Sequence, residues 1–192
     1  MEKIYSSIIK KFCSKTERKI LNDWTISHHK DSYFQDANMD EYNSGTRLTT
    51  RLYGKEEIDK YIDIINYPKE AYNIRNRIIA HFHLENYLHP QTFKDGIVSG
   101  IGFKNGSICN HIDPIYYEET HTLHCNIVTQ IPDSGGVTLI EGIEHKVDNG
   151  DLLCYLVSKH NHEVTKIEGT TNRILWVFGF CIDDYKINQI FT

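Results

Sequence analysis

The sequence predicts an α+β, mainly β protein: a helical N-terminal part packed on one sheet of a C-terminal double-sheet jelly roll. Two observations predict it. The chain changes rhythm near residue 95, from helical spacing before it to short β-like runs after it. Those later runs are separated at short intervals by turn chemistry, which fits a sandwich or barrel and not a parallel α/β sheet.

The elements follow in order. "KIYSSIIKKFCSKTERKILNDW" places Ile4, Ile8, Phe12, Ile20 and Leu21 near helical spacing, so a helix is expected from the N-terminus. The segment 28–46 is polar, tyrosine-bearing and long enough to serve as a lid. "TRLTTRLYG" at 46–54 alternates and reads as a strand on which Arg47, Thr49, Arg51 and Tyr53 share a face. "EEIDKYIDIINY" repeats Ile58, Tyr61, Ile62 and Ile65, and Pro68 then opens the helix "PKEAYNIRNRIIAHFHLENYL" with a proline in its first turn. Beyond residue 95, "GIVSGIGF", "HTLHCNIVTQI", "GVTLIEG", "DLLCYLV" and "NRILWVFGFCI" are rich in β-branched and aromatic residues. "KNGS", "PDSGG", "DNGD" and "EGTTN" punctuate them. The expected organisation is one domain over 1–192: a mainly helical 1–95, a jelly-roll core at 96–182 and a tail at 183–192.

Bulk properties bound the function. With 40% hydrophobic and 24% charged residues, the composition is that of a soluble globular chain. A net charge of −5 without a Lys/Arg run argues against nucleic acid as a partner. The five cysteines, Cys13, Cys109, Cys125, Cys154 and Cys181, are odd in number and contain no CxxC. They read as reduced thiols packed as small hydrophobes in a cytoplasmic protein. No apolar run approaches the roughly 20 residues that cross a bilayer, so no membrane association is expected.

The chemistry concentrates in "NHIDP". His111 and Asp113 are two apart, and on a strand such side chains leave the same face. Alone, the pair fits a hydrogen-bonded strand end as well as a metal site. Two neutral imidazoles and one carboxylate on one face of a metal leave positions open for a bidentate co-substrate and O₂. "HNHEVTKIEGTTNR" offers His160 and His162 as the second imidazole. His162 is preferred because Val164 continues an alternating strand beyond it. An α-keto acid then needs a cation for its distal carboxylate. Arg173 lies 11 positions after His162 and is the only arginine beyond residue 95. Within an apolar strand it is expensive to bury without an anion.

HxD, "PDSGG" leading into a strand, "NGDLL", His162 and Arg173, in this order, resemble the Fe(II)/2-oxoglutarate-dependent dioxygenase superfamily. "FKNGSICNHID" resembles that family's approach to the metal, and the resemblance spans roughly residues 96 to 182. It implies a double-stranded β-helix, a cupin-like jelly roll, with iron on His111, Asp113 and His162 as the catalytic centre. It also implies 2-oxoglutarate chelating the iron with its far carboxylate on Arg173, O₂ as the second co-substrate, and hydroxylation coupled to decarboxylation to succinate. Many members place a Ser two residues after the arginine, where this chain has Leu175. Another polar group must then assist, and alternation of "HTLHCNIV" puts His124 and Asn126 on one face, so these two are expected at the co-substrate. The retained Asp113 disfavours halogenation, because halogenating relatives replace that carboxylate to admit chloride.

Two arginines on one strand face want anions, so Arg47 and Arg51 are expected to bind a small acidic or amino-acid-like substrate. The alternatives are a protein or peptide hydroxylase with an open groove, and a non-catalytic jelly-roll binding module. His81 and His83 diverge on a helix, His28 and His29 sit in an expected loop, and His145 flanks a turn. None of these is expected to bind a metal.

Overall fold

A computed structural model describes residues 3–37, 45–51, 59–85, 88–89 and 94–191. The first element is a strand, β1 (Ser6–Ile9), followed by helix α1 (Lys15–His28). This corrects the expectation of a helix from the N-terminus. Ser14 and Glu17 form a capping box: the Glu17 N–H donates to Ser14 Oγ at 3.3 Å, and the Ser14 N–H donates to the Glu17 carboxylate at 2.8 Å. Those bonds fix the helix start at Lys15. Upstream, the backbone instead completes the edge of the strand Leu152–Leu156, with Ser6 opposite Tyr155 and Ile9 opposite Leu152. His28 ends α1 and His29 caps it, so neither lies in a loop, and His28 stacks on Trp24 at 4.6 Å.

After β2 (Gln35–Asp36) and β3 (Arg47–Thr49), helix α2 (Lys69–Phe82) begins behind Pro68 as its spacing predicts. It stops at His83, whose φ of 52° is left-handed, and both His81 and His83 are exposed. Tyr53 and Ile58 of the expected strand and helix lie outside the described residues, as do 38–44 of the expected lid; 59–61 are helical.

The remaining strands are β4 (Leu88–His89), β5 (Ile97–Gly102), β6 (Ile108–His111), β7 (Thr120–Gln130), β8 (Thr138–Ile140), β9 (Ile143–His145), β10 (Leu152–Leu156), β11 (His162–Val164) and β12 (Arg173–Asp183). A short helix, α3 (Ile187–Ile190), follows. Among the described residues they form two sheets. The larger runs β1-β10-β7-β12-β5-β3-β2, with β4 also on β12, and the smaller runs β6-β11-β8-β9. All pairings are antiparallel. The expected double-sheet jelly roll is the fold observed.

Alternation along the long strands decides where the core sits. Leu123, Cys125 and Ile127 of β7, with Ile174, Trp176, Phe178 and Phe180 of β12, face the helices and pack with Leu21, Ile74 and Ile78. Each such buried side chain contributes about 1.5–3 kcal/mol relative to exposure. Four of the five cysteines are buried, as expected, and Cys109 is exposed. The opposite face of the larger sheet carries His124, Asn126, Arg173, Leu175 and Val177, and encloses a cavity against the smaller sheet. No helix among the described residues is long and apolar enough to cross a membrane.

Candidate active site

Strand pairing builds the centre. In the smaller sheet His111 lies directly opposite His162, so their side chains leave the same face and the rings approach to 4.2 Å. Past the end of β6 the chain is held by the Asp113 N–H, which donates to the Val157 carbonyl at 2.9 Å, and the carboxylate turns back toward the rings. His111, Asp113 and His162 each offer one ligand atom, and these atoms all lie within 4.8 Å of one another. His160 lies elsewhere. Its Nε2 accepts the Tyr5 N–H at 2.9 Å and its ring stacks on Tyr5.

The tautomers suit metal binding. A carbonyl oxygen can only accept, so the Nδ1–H of His111 donates to Cys109 O at 2.8 Å and the Nδ1–H of His162 to His160 O at 3.1 Å. In the neutral ring each Nε2 then carries a lone pair. Burial opposes the charge on Asp113, but the His111 hydrogen bond and the nearby His124, Arg51 and His162 outweigh it and hold the carboxyl well below the usual carboxylate range. Burial pushes His162 down and His124 down to about 3, so both rings are neutral at pH 7. The Asp113 carboxylate, 3.3 Å from the His111 Nε2, favours the protonated ring and raises His111 against its partial burial; a metal ion would take that proton's place. Two imidazoles whose Nε2 atoms face the cluster, that of His111 lying 3.3 Å from Asp113 Oδ1, and one ionised carboxylate are a donor set that fits a divalent metal such as iron.

All the other residues expected at the site line the same cavity: Arg173, Asn126, His124, Arg47 and Arg51. Arg173 is only 7% exposed. Its Nη2 donates to Thr138 Oγ1 at a long 3.4 Å, and its Nε is buried without a partner. Burial, then the charge of Arg47, pushes Arg173 down to about 10, still fully cationic at pH 7. The double glycine of "PDSGG" lets its turn close on this side chain. Gly136 has a φ of +67°, and a Cβ there would lie 3.1 Å from Arg173 Cδ and 2.8 Å from Pro132 Cγ. Asn126 donates from Nδ2 to the Tyr155 hydroxyl at 3.3 Å, while its Oδ1 is buried and unpartnered. Arg51 stands nearer the surface: Nη2 donates to the Tyr116 hydroxyl at 2.9 Å and Nη1 lies 3.7 Å from Asp113 Oδ2. Arg47 donates from Nη1 to Ala37 O at 2.9 Å.

Sequence reasoning missed Thr138 and Tyr155, which also line the cavity. A tyrosine in the otherwise apolar "LLCYL" was a usable signal, because a buried hydroxyl needs a polar neighbour.

No protein-family model matches this sequence, and no curated protein matches it. Solved structures do. The viral collagen prolyl hydroxylase of Paramecium Bursaria Chlorella virus-1, in its 2OG complex, superposes with a TM-score of 0.59 at 12% identity, over 93% of this chain and 96% of that one. A Pseudomonas putida prolyl-4-hydroxylase gives 0.58 at 14%, over 94% and 93%. A Trichoplax adhaerens prolyl hydroxylase, bound to a hypoxia inducible factor peptide fragment, gives 0.58 at 16%, over 95% and 86%. The chain shares the double-stranded β-helix fold of these structures. This likeness extends over nearly the whole chain, so it takes in the N-terminal strands and helices as well as the jelly roll.

Proposed function

We propose that this protein is an Fe(II)- and 2-oxoglutarate-dependent oxygenase that hydroxylates its substrate, with His111, Asp113 and His162 holding the metal. One observation carries the reading: a His–Asp–His cluster of three donor atoms shares a cavity with a buried guanidinium whose Nε has no partner. A buried cation left in that state is costly unless an anion completes it. A carboxylate of 2-oxoglutarate meets the need of Arg173, and Asn126 and His124 line the same space. When bound, iron and 2-oxoglutarate supply the oxidising chemistry, in which decarboxylation to succinate accompanies oxidation of a C–H bond. The chain's own part is to present the two imidazoles, keep Asp113 ionised and anchor the co-substrate.

For the substrate, the favoured class is a small anionic or amino-acid-like molecule, with Arg51 as its cation beside Asp113 and Tyr116. A second reading, a peptide substrate, is favoured by exposed Ile112, Ile115 and Tyr117 around the metal-ligand loop and by the peptide held in the Trichoplax structure. The test is formation of succinate from 2-oxoglutarate by purified protein with Fe(II), ascorbate and O₂. Turnover is expected. Neither turnover nor 2-oxoglutarate binding would leave a non-catalytic jelly-roll module. Stimulation of turnover by carboxylated small molecules, against prolyl peptides, separates the two substrate classes.

A further inference from the structure

Cys125 and Cys154 stand out because of their register. They are directly opposed on the antiparallel strands β7 and β10, fully buried in the helix-side core, with their Sγ atoms 3.2 Å apart. Directly opposed residues project from one face, with Cα atoms about 4.5–5.5 Å apart. A disulfide needs Cα atoms about 4.4–6.8 Å apart, so this pair can be bridged without moving either strand. Both are free thiols in this structure.

The neighbouring residues give the pair a bearing on the site. Asn126 and Tyr155 line the cavity on the opposite face of the same ladder, and Asn126 Nδ2 donates to the Tyr155 hydroxyl at 3.3 Å. Slippage of β7 against β10 would break that bond and displace both groups from the cavity wall. A covalent link between Cys125 and Cys154 forbids the slip. Access lies at the sheet edge. β1 is the edge strand on β10, half-buried throughout, and it sets Ser7 opposite Cys154. The Ser7 hydroxyl is buried without a partner, which lowers the cost of lifting β1. Burial pushes the Cys125 thiol up, so in the closed sheet it stays protonated and unreactive.

We propose that Cys125 and Cys154 are a modification site, a reversible cross-strand disulfide formed by exchange with a small disulfide such as glutathione disulfide. With β1 lifted, Cys154 loses its proton and attacks one sulfur of glutathione disulfide, which breaks that S–S bond and releases one glutathione. Cys125 loses its proton and attacks the Cys154 sulfur of the mixed disulfide, which releases the second glutathione. The two protons pass to the two leaving thiolates. The cysteine pair gives up two electrons and glutathione disulfide takes them. A reduced glutathione pool keeps the pair open and an oxidising one closes it. The closed form staples the strands that present Asn126 and Tyr155.

The test is equilibration of the folded protein in glutathione buffers of rising disulfide fraction, a few degrees below its melting midpoint. Intact mass and alkylated peptides are then read by mass spectrometry. The intact mass should fall by two hydrogen atoms, and one crosslinked species should join the peptides that carry Cys125 and Cys154. The melting temperature should rise by about 4–16 °C, the usual worth of a disulfide in a chain of this size, and dithiothreitol should reverse it. Cys125→Ala and Cys154→Ala should each lose the crosslink and the response to reductant, whereas Cys109→Ser should keep both. Mapping in wild-type protein decides the matter even if a core variant fails to fold. Recovery of Cys125 and Cys154 as alkylated free thiols in the most oxidising buffer, with exposed Cys109 carrying glutathione, overturns the proposal. So does a crosslink that joins any other pair, or one between Cys125 and Cys154 that leaves the melting temperature unchanged or lower.

Discussion

At the scale of single residues, the sharpest contrast lies between two histidines two positions apart. His160 and His162 are both buried, yet they meet different neighbours. The first takes the Tyr5 N–H on its Nε2 and pins β1 to the sheet edge. The second faces His111, with its Nε2 turned into the metal-ligand cluster. The backbone carbonyl of His160 accepts from the Nδ1 of His162, so one residue orients the ring of the other. Their alanine variants should therefore fail differently. His162→Ala should lose iron, read as metal per chain after desalting, with a small change in melting temperature. His160→Ala should keep most of its iron and melt lower, because the Tyr5 N–H loses its acceptor. Iron loss in His160→Ala with retention in His162→Ala would reverse the ligand assignment.

At the scale of elements, turns place Arg173 in the cavity. Asp133, in the turn before β8, accepts from the Thr171 hydroxyl, then from the N–H groups of Thr171 and Thr170, and these bonds hold its carboxyl down to about 2. They tie the 131–136 turn to the turn that delivers Arg173. The folded pKa lies below the ordinary carboxylate value of about 4. The contribution to stability is thus present above that value and lost as pH falls from about 4 to about 2. Asp133→Asn should lower the melting temperature at pH 7, and the gap to wild type should close over that acid window. A gap that persists unchanged at the acid end would show that the carboxylate charge is not what holds the two turns together. These elements were also the most legible ones. β5, β7, β10 and β12 were readable because they are short runs rich in β-branched and aromatic residues, buried almost throughout and bounded by turn chemistry. HxD, His162 and Arg173 were readable because their order along the chain reflects strands that meet. β1 was not, since an edge strand half-buried throughout has no clean period, and its partner lies almost 150 residues away. The "SKTE" capping box was in view and marks where the helix begins. Thr138 and Tyr155 escaped because each sits in an otherwise ordinary β pattern, and only the cross-sheet geometry turns it toward Arg173 and Asn126.

At the scale of the whole molecule, two electrostatic effects compete for an anionic co-substrate. The chain carries a net charge of −5, which repels it at long range. Against this, the cavity presents Arg47, Arg51 and Arg173 with Asp113 as the acidic lining residue, and His124 and His162 are neutral at pH 7. A bound divalent metal adds further positive charge. At about 0.1 M salt the screening length is about 10 Å, so charges spread over the outer surface are largely screened while those lining a low-dielectric cavity act at close range. The cavity should win. Raising NaCl from about 0.05 to about 0.3 M should therefore weaken 2-oxoglutarate binding severalfold rather than strengthen it. The dependence should be shallower in Arg47→Met, which removes one of the cavity's cations, and shallower again in the Arg47→Met, Arg173→Met double variant. Binding that tightens with salt would mean that the acidic exterior governs the approach of the co-substrate. Equal salt slopes in wild type and Arg47→Met would remove Arg47 from the field that the ligand experiences.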